Sequence, residues 1–159
     1  MARPNPVRAI MQADLPSKTY QRQKLYRPKN SDVIYAYNII NRHVFDNQLK
    51  RPDIYVKSHL RKIWGCCVWL SHKQYTGSHC IIQLSDKYFC EQWFMNVLAH
   101  EMVHQWQWDV YRWDHQEVFG RDPNTNSSGH GPSFYAWREE FDYYGLNLKG
   151  WHRTKKWFL

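Results

Sequence analysis

The chain has 159 residues, 43% of them hydrophobic and 23% charged, with a net charge of +8. That length suits one domain, and that composition excludes global disorder. No run approaches the ~18 apolar residues of a membrane span, and residues 1–16 lack the apolar core of a secretory signal. The expected location is therefore cytoplasmic or on nucleic acid. Residues 1–30 hold Pro4, Pro6, Pro16 and Pro28 and read as a basic N-terminal arm of net charge +6. Ser31 then offers a cap, and Val33, Ile34, Tyr37, Ile40, Val44, Phe45 and Leu49 recur at helical spacing. They predict a helix over about 32–48, ended by Arg51-Pro52.

Three short runs follow, around Ile54-Tyr55-Val56, over Ile63–Leu70 and over Cys80–Leu84. They are rich in β-branched and aromatic residues and predict three short antiparallel strands. The adjacent Cys66 and Cys67 point to opposite faces of a strand and read as filler rather than ligands. With Cys80 and Cys90 they form no CxxC pair and are expected to be reduced thiols. Ser85-Asp86 offers the next cap. Phe89, Trp93, Phe94, Val97, Leu98, Met102, Val103 and Trp106 then mark a helix over about 87–108. Turn residues fill 122–129, and a last helix follows Pro132 with Gly145 as its C-cap. The order describes one α+β domain over 31–145, followed by a tail, 146–159, of net charge +4.

The second helix carries the chemistry. His100-Glu101-Met102-Val103-His104 is an HExxH. Four residues advance a helix by about 400°, so both imidazoles share one face and can chelate a zinc ion. Glu101 beside them can take a proton from a water. The motif lies in an apolar stretch, where unliganded histidines would need other partners. A catalytic zinc takes a third protein ligand, and His130, at the mouth of the last helix, is the candidate. His115, Glu139 and Glu140 are its rivals.

Ile81-Ile82-Gln83-Leu84-Ser85, then Leu98-Ala99 with the HExxH, then His130-Gly131-Pro132-Ser133-Phe134, together resemble the SprT-like zinc metalloprotease family. The opening helix, with Val44–Leu49 running into a strand, is also similar. The resemblance spans about 31–145 and implies a zincin-like fold. It also implies one zinc held by His100, His104 and His130, with Glu101 as general base. Many members carry a zinc ribbon after the protease domain; no cysteine follows residue 90 to build one, and a minimal protease domain is expected.

Two functions are weighed. One is a zinc-dependent endopeptidase acting on a protein or peptide, its third strand bordering the cleft and pairing with extended substrate. The other is a non-catalytic structural or nucleic-acid-associated module that keeps the zinc-binding fold. Water at the fourth metal position marks the enzyme, and a fourth protein ligand marks the module. Tyr143, Tyr144 and Arg138 are the groups at hand for oxyanion stabilisation, although a core or surface role is the expected one for each. The basic ends interleave cations with aromatics, which suits single-stranded DNA or another nucleic acid. The candidate contacts are Arg22, Lys24, Arg27, Arg153, Lys155, Lys156 and Trp157. The competing reading docks the tail on the core.

Overall fold

The computed structural model describes residue 7 and residues 25–58, 63–111 and 129–150. Helix α1 spans Asn30–His43. Its cap residue is Lys29 rather than Ser31, and the Lys29 N–H donates to Asp32 Oδ2 at 2.8 Å. The helix stops five residues short of the predicted end. Asp46 and Asn47 adopt φ of 53° and 58°, the left-handed region that short polar side chains tolerate. Asn41 holds the turn they make, donating to the Leu49 carbonyl at 2.8 Å and accepting from the Leu49 N–H at 3.2 Å. Val44, Phe45 and Leu49 are buried as their spacing suggested, but from a turn rather than a helix.

Strands β1 (Asp53–Lys57), β2 (Gly65–Trp69) and β3 (Cys80–Ser85) form one sheet in the order β1-β3-β2. β2 pairs antiparallel with β3, but β1 pairs parallel with it, so the sheet is mixed rather than antiparallel. β3 is the central strand. Its run Cys80-Ile81-Ile82-Gln83-Leu84-Ser85 is the most buried of the three because it is covered at both edges.

Helix α2 spans Glu91–Trp106 and continues as a π-helical turn over Gln107–Tyr111. It begins four residues later than predicted. Ser85 Oγ is occupied in a tight turn with Lys87, and Tyr88 forms an antiparallel bridge with Tyr26, exchanging two backbone bonds of 2.8 Å. α2 is buried nearly all round, as befits a helix at the centre of a core. It lies against β2 and β3 on one side and α1 on another. Gln105, fully buried in it, accepts from Tyr37 Oη of α1 at 2.8 Å and donates to the Lys50 carbonyl at 2.8 Å and Asp109 at 3.1 Å.

The last helix is split into α3 (Pro132–Tyr135) and α4 (Arg138–Tyr144), and Gly145 caps α4 at φ 77° as predicted. Phe45, Trp137 and Phe141 pack the start of α4 onto the turn that follows α1, with ring centroids of 4.6 Å for Phe45–Trp137. Both ends of the chain contribute to the body. Val7 is fully buried in the core, and Leu146 and Leu148 are buried after α4. Among the described residues no helix is long and apolar enough to cross a membrane.

Candidate metal centre

His100 and His104 sit one turn apart on α2. His130 comes from the segment that leads into α3, and its Nε2 meets theirs. The three Nε2 atoms form a near-equilateral triangle, with sides of 3.2 Å (His100–His104), 3.1 Å (His104–His130) and 3.2 Å (His130–His100). Gly129 makes this approach possible. It holds φ of +75°, and a Cβ there would stand 3.3 Å from the ring of His104. The Phe134 ring lies beneath the cluster, its centroid 4.8, 5.0 and 4.7 Å from those of His100, His104 and His130.

The outer ring nitrogens of the two α2 histidines are anchored. His100 Nδ1 lies 2.8 Å from the Lys149 carbonyl oxygen, and His104 Nδ1 lies 2.8 Å from Gln107 Oε1. A carbonyl only accepts, so His100 carries its proton on Nδ1 and turns the Nε2 lone pair inward. Burial holds His104 down to about 4, with His130 nearby adding to the shift and the Gln107 bond opposing it, and burial lowers His130 as well. Neutral rings are the ligating form. Converging lone pairs repel unless a cation lies among them. A triangle of this size puts each nitrogen about 1.8 Å from its centre, close enough for all three to ligate one ion at the ~2.0–2.1 Å usual for a metal–imidazole bond. The three histidines could thus hold a metal ion, and among the described residues they are the group that could.

Glu101 is buried beside them and accepts a hydrogen bond from the Cys67 backbone N–H of β2. Burial pushes its carboxyl up to about 8 against the opposing pull of that bond. A cation at the histidines acts in the opposite direction. Gly65 lets α2 come this close to β2, since a Cβ there would meet Val97 Cγ1 at 3.0 Å and Glu101 Cγ at 3.3 Å.

The other residues singled out in the sequence are placed elsewhere. Glu139 and Glu140 are exposed on the first turn of α4 and lie outside the metal group. His115 lies outside the described residues, as do Arg22, Lys24, Arg153, Lys155, Lys156 and Trp157. Arg27, 62% exposed, lies 3.6 Å from Asp86 in a surface ion pair. Tyr143 is 64% exposed, Tyr144 packs near His43, and the Arg138 guanidinium covers the Tyr135 ring at 4.8 Å. β3 does not border a cleft with a free edge, because both of its edges are paired. All four cysteines are free, with the Cys66 thiol directed at Gln83 and that of Cys67 at Cys80.

Sequence reasoning missed Gln107, Phe134 and the Lys149 carbonyl. The first two carried a signal, Gln107 at i+3 from a ligand and Phe134 inside the His130 motif. A backbone carbonyl 49 residues from its partner carries none. The model of the SprT-like family matches residues 35–152, which takes in the whole cluster and the Lys149 segment. No curated protein matches the chain.

Proposed function

The chain belongs to the SprT-like family, and we propose that it is a zinc-dependent endopeptidase on a zincin-like fold. The observation that carries this reading is the convergence of three imidazoles beside a buried carboxyl. In this reading His100, His104 and His130 hold one zinc per chain and Glu101 is the general base. Zinc so held would polarise a scissile carbonyl and bring the pKa of a water to ~7. Glu101 takes a proton from the attacking water and returns it to the leaving amine. Its carboxyl is held in register by the Cys67 N–H, and its burial makes it a stronger base than a solvated glutamate. The substrate adds as a strand to β2, an edge of the sheet among the described residues, rather than to β3.

Net charges of +6 over residues 1–30 and +4 over 146–159 support a second part of the proposal. The basic ends hold single-stranded DNA or another nucleic acid, so that substrates are proteins bound to it. A structural zinc in a non-catalytic module would call for a fourth protein ligand. Among the described residues three converge, which favours the enzyme.

The test compares the full chain with Glu101→Gln. The amide is nearly isosteric but accepts no proton, so zinc content should stay at about one equivalent while cleavage of an unfolded protein falls by ~10²–10⁴. Equal cleavage by both, or a parent that cleaves nothing with or without DNA, refutes the enzyme.

A further inference from the structure

We infer that Gln107 is a positioning residue that sets the proton on His104 and ties that ligand to the segment carrying His130, so that the metal site is assembled before any metal arrives. The inference rests on the metal reading above but concerns a side chain outside the HExxH and the third-ligand motif. Gln107 is 1% exposed and is the first residue of the π-helical turn that succeeds α2. π-Helical turns inside helices recur at functional sites. Both ends of its amide are engaged. Nε2 donates to the Gly129 carbonyl at 2.9 Å and to Ser133 Oγ at 3.0 Å, and Oε1 faces His104 Nδ1 at 2.8 Å.

The direction of these bonds follows from one backbone group. The Gly129 carbonyl only accepts, so the NH₂ of Gln107 must lie on its side and the Oε1 must face His104. Oε1 only accepts, so His104 Nδ1 must carry the hydrogen. A neutral imidazole has one N–H, so Nε2 is left as a lone pair, aimed at Nε2 of His100 and His130. The polarity of a carbonyl beside one ligand thus decides which nitrogen of another ligand is free to bind. The same amide, through Gly129 and Ser133, grips both sides of His130. A second hydrogen bond that orients a ligating histidine is typically worth 10–100-fold in metal affinity.

The experiment uses the full chain as parent, Gln107→Met and Gln107→Glu. Zinc affinity is measured by chelator competition, and the His104 tautomer by long-range ¹H–¹⁵N NMR of the metal-free protein. The parent should show His104 protonated at Nδ1. Gln107→Met, close in shape but without an acceptor, should lose that single tautomer and bind zinc 10–100-fold more weakly, with unchanged far-UV circular dichroism. Gln107→Glu restores the acceptor, so the Nδ1–H tautomer should return with its proton shifted downfield by the charged partner. Zinc affinity within twofold of the parent in Gln107→Met, together with the parent tautomer, overturns the inference. Should Gln107→Met not fold, an unmoved His104 Nδ1 proton in Gln107→Glu overturns it alone. A parent that binds no zinc refutes the metal reading instead, and the tautomer readout still judges the role of Gln107.

Discussion

Replacing Gly65 by alanine adds one methyl group where α2 meets β2. The new Cβ would stand 3.0 Å from Val97 Cγ1, 3.2 Å from the Gln83 carbonyl oxygen and 3.3 Å from Glu101 Cγ. Carbon atoms rest comfortably at about 3.5–4.0 Å, so each contact is short by several tenths of an ångström. None of the three neighbours yields easily. The Gln83 oxygen belongs to the central strand, and Val97 is β-branched on a helix, where one χ1 rotamer dominates. Glu101 can move only by shifting the carboxyl that Cys67 holds. Overpacking of this kind costs about 1–3 kcal/mol. Alanine recovers about 0.5–1 kcal/mol, since glycine is entropically unfavourable within a strand. At the middle of both ranges the clash wins, with a net loss of about 1 kcal/mol, and Tm should fall by roughly 2–4 °C for a chain of this size. Displacement of the reacting group by even 1 Å can cost about 10²-fold in rate, so peptide cleavage should fall further than stability does. Zinc content should hold, because none of the three nearest neighbours of the added methyl is a metal-ligand side chain. Urea unfolding, zinc analysis and cleavage of an unfolded protein, run side by side, read all three effects. A Gly65→Ala chain as stable as the parent, with undiminished cleavage, refutes the packing argument and with it the claim that Gly65 sets the place of Glu101.

Asn41→Ala removes both bonds to Leu49 and leaves a buried N–H and carbonyl without that partner, so urea titration should show a loss of about 2–4 kcal/mol with no change in zinc affinity. Deleting residues 151–159 should leave zinc content intact while weakening salt-sensitive binding of labelled single-stranded DNA, read by fluorescence anisotropy at two salt concentrations. Deleting 146–159 should also abolish tight zinc binding, because it removes Leu146, Leu148 and the Lys149 carbonyl that orients His100. Equal zinc affinity in the two truncations would show that the carbonyl contact is idle. In the metal-free chain His104 should contribute a loss of stability as pH falls from about 6.5 towards 4, set against a gain from Glu101, whose carboxyl, held up at about 8, takes its proton first in the folded state. His104 is held below its ordinary value of 6.5, at about 4, so in that window the unfolded state binds a proton that the folded state refuses. Urea midpoints between pH 7.5 and 4 test this, and a His104→Gln chain with the same slope would refute the assignment to His104.

The sequence by itself determined what short-range periodicity can carry. The apolar spacing of residues 91–106 and the four-residue step from His100 to His104 specify a helix with two imidazoles on one face, whatever surrounds them. Pro132 and Gly145 mark the ends of the last helical region for equally local reasons, the φ restriction of proline and the left-handed freedom of glycine. The convergence of His130 was legible as a motif but not as geometry. The helix ends at His43 and Glu91 were misjudged because the deciding interactions, Asn41 with Leu49 and Tyr26 with Tyr88, compete with a periodic pattern that continues past them. Strand order was beyond reach for a more basic reason. Three short apolar runs pair equally well in several orders, and only the tertiary structure shows β3 in the centre and β2, an edge among the described residues, packed on α2 beside Glu101. The orientation of the histidines likewise came from the tertiary structure. The Lys149 carbonyl reaches His100 only after the chain has folded back across α2, and Gln107, although three residues from His104, has its amide turned by Gly129 and Ser133, so side-chain polarity in this buried site depends on which partner arrives.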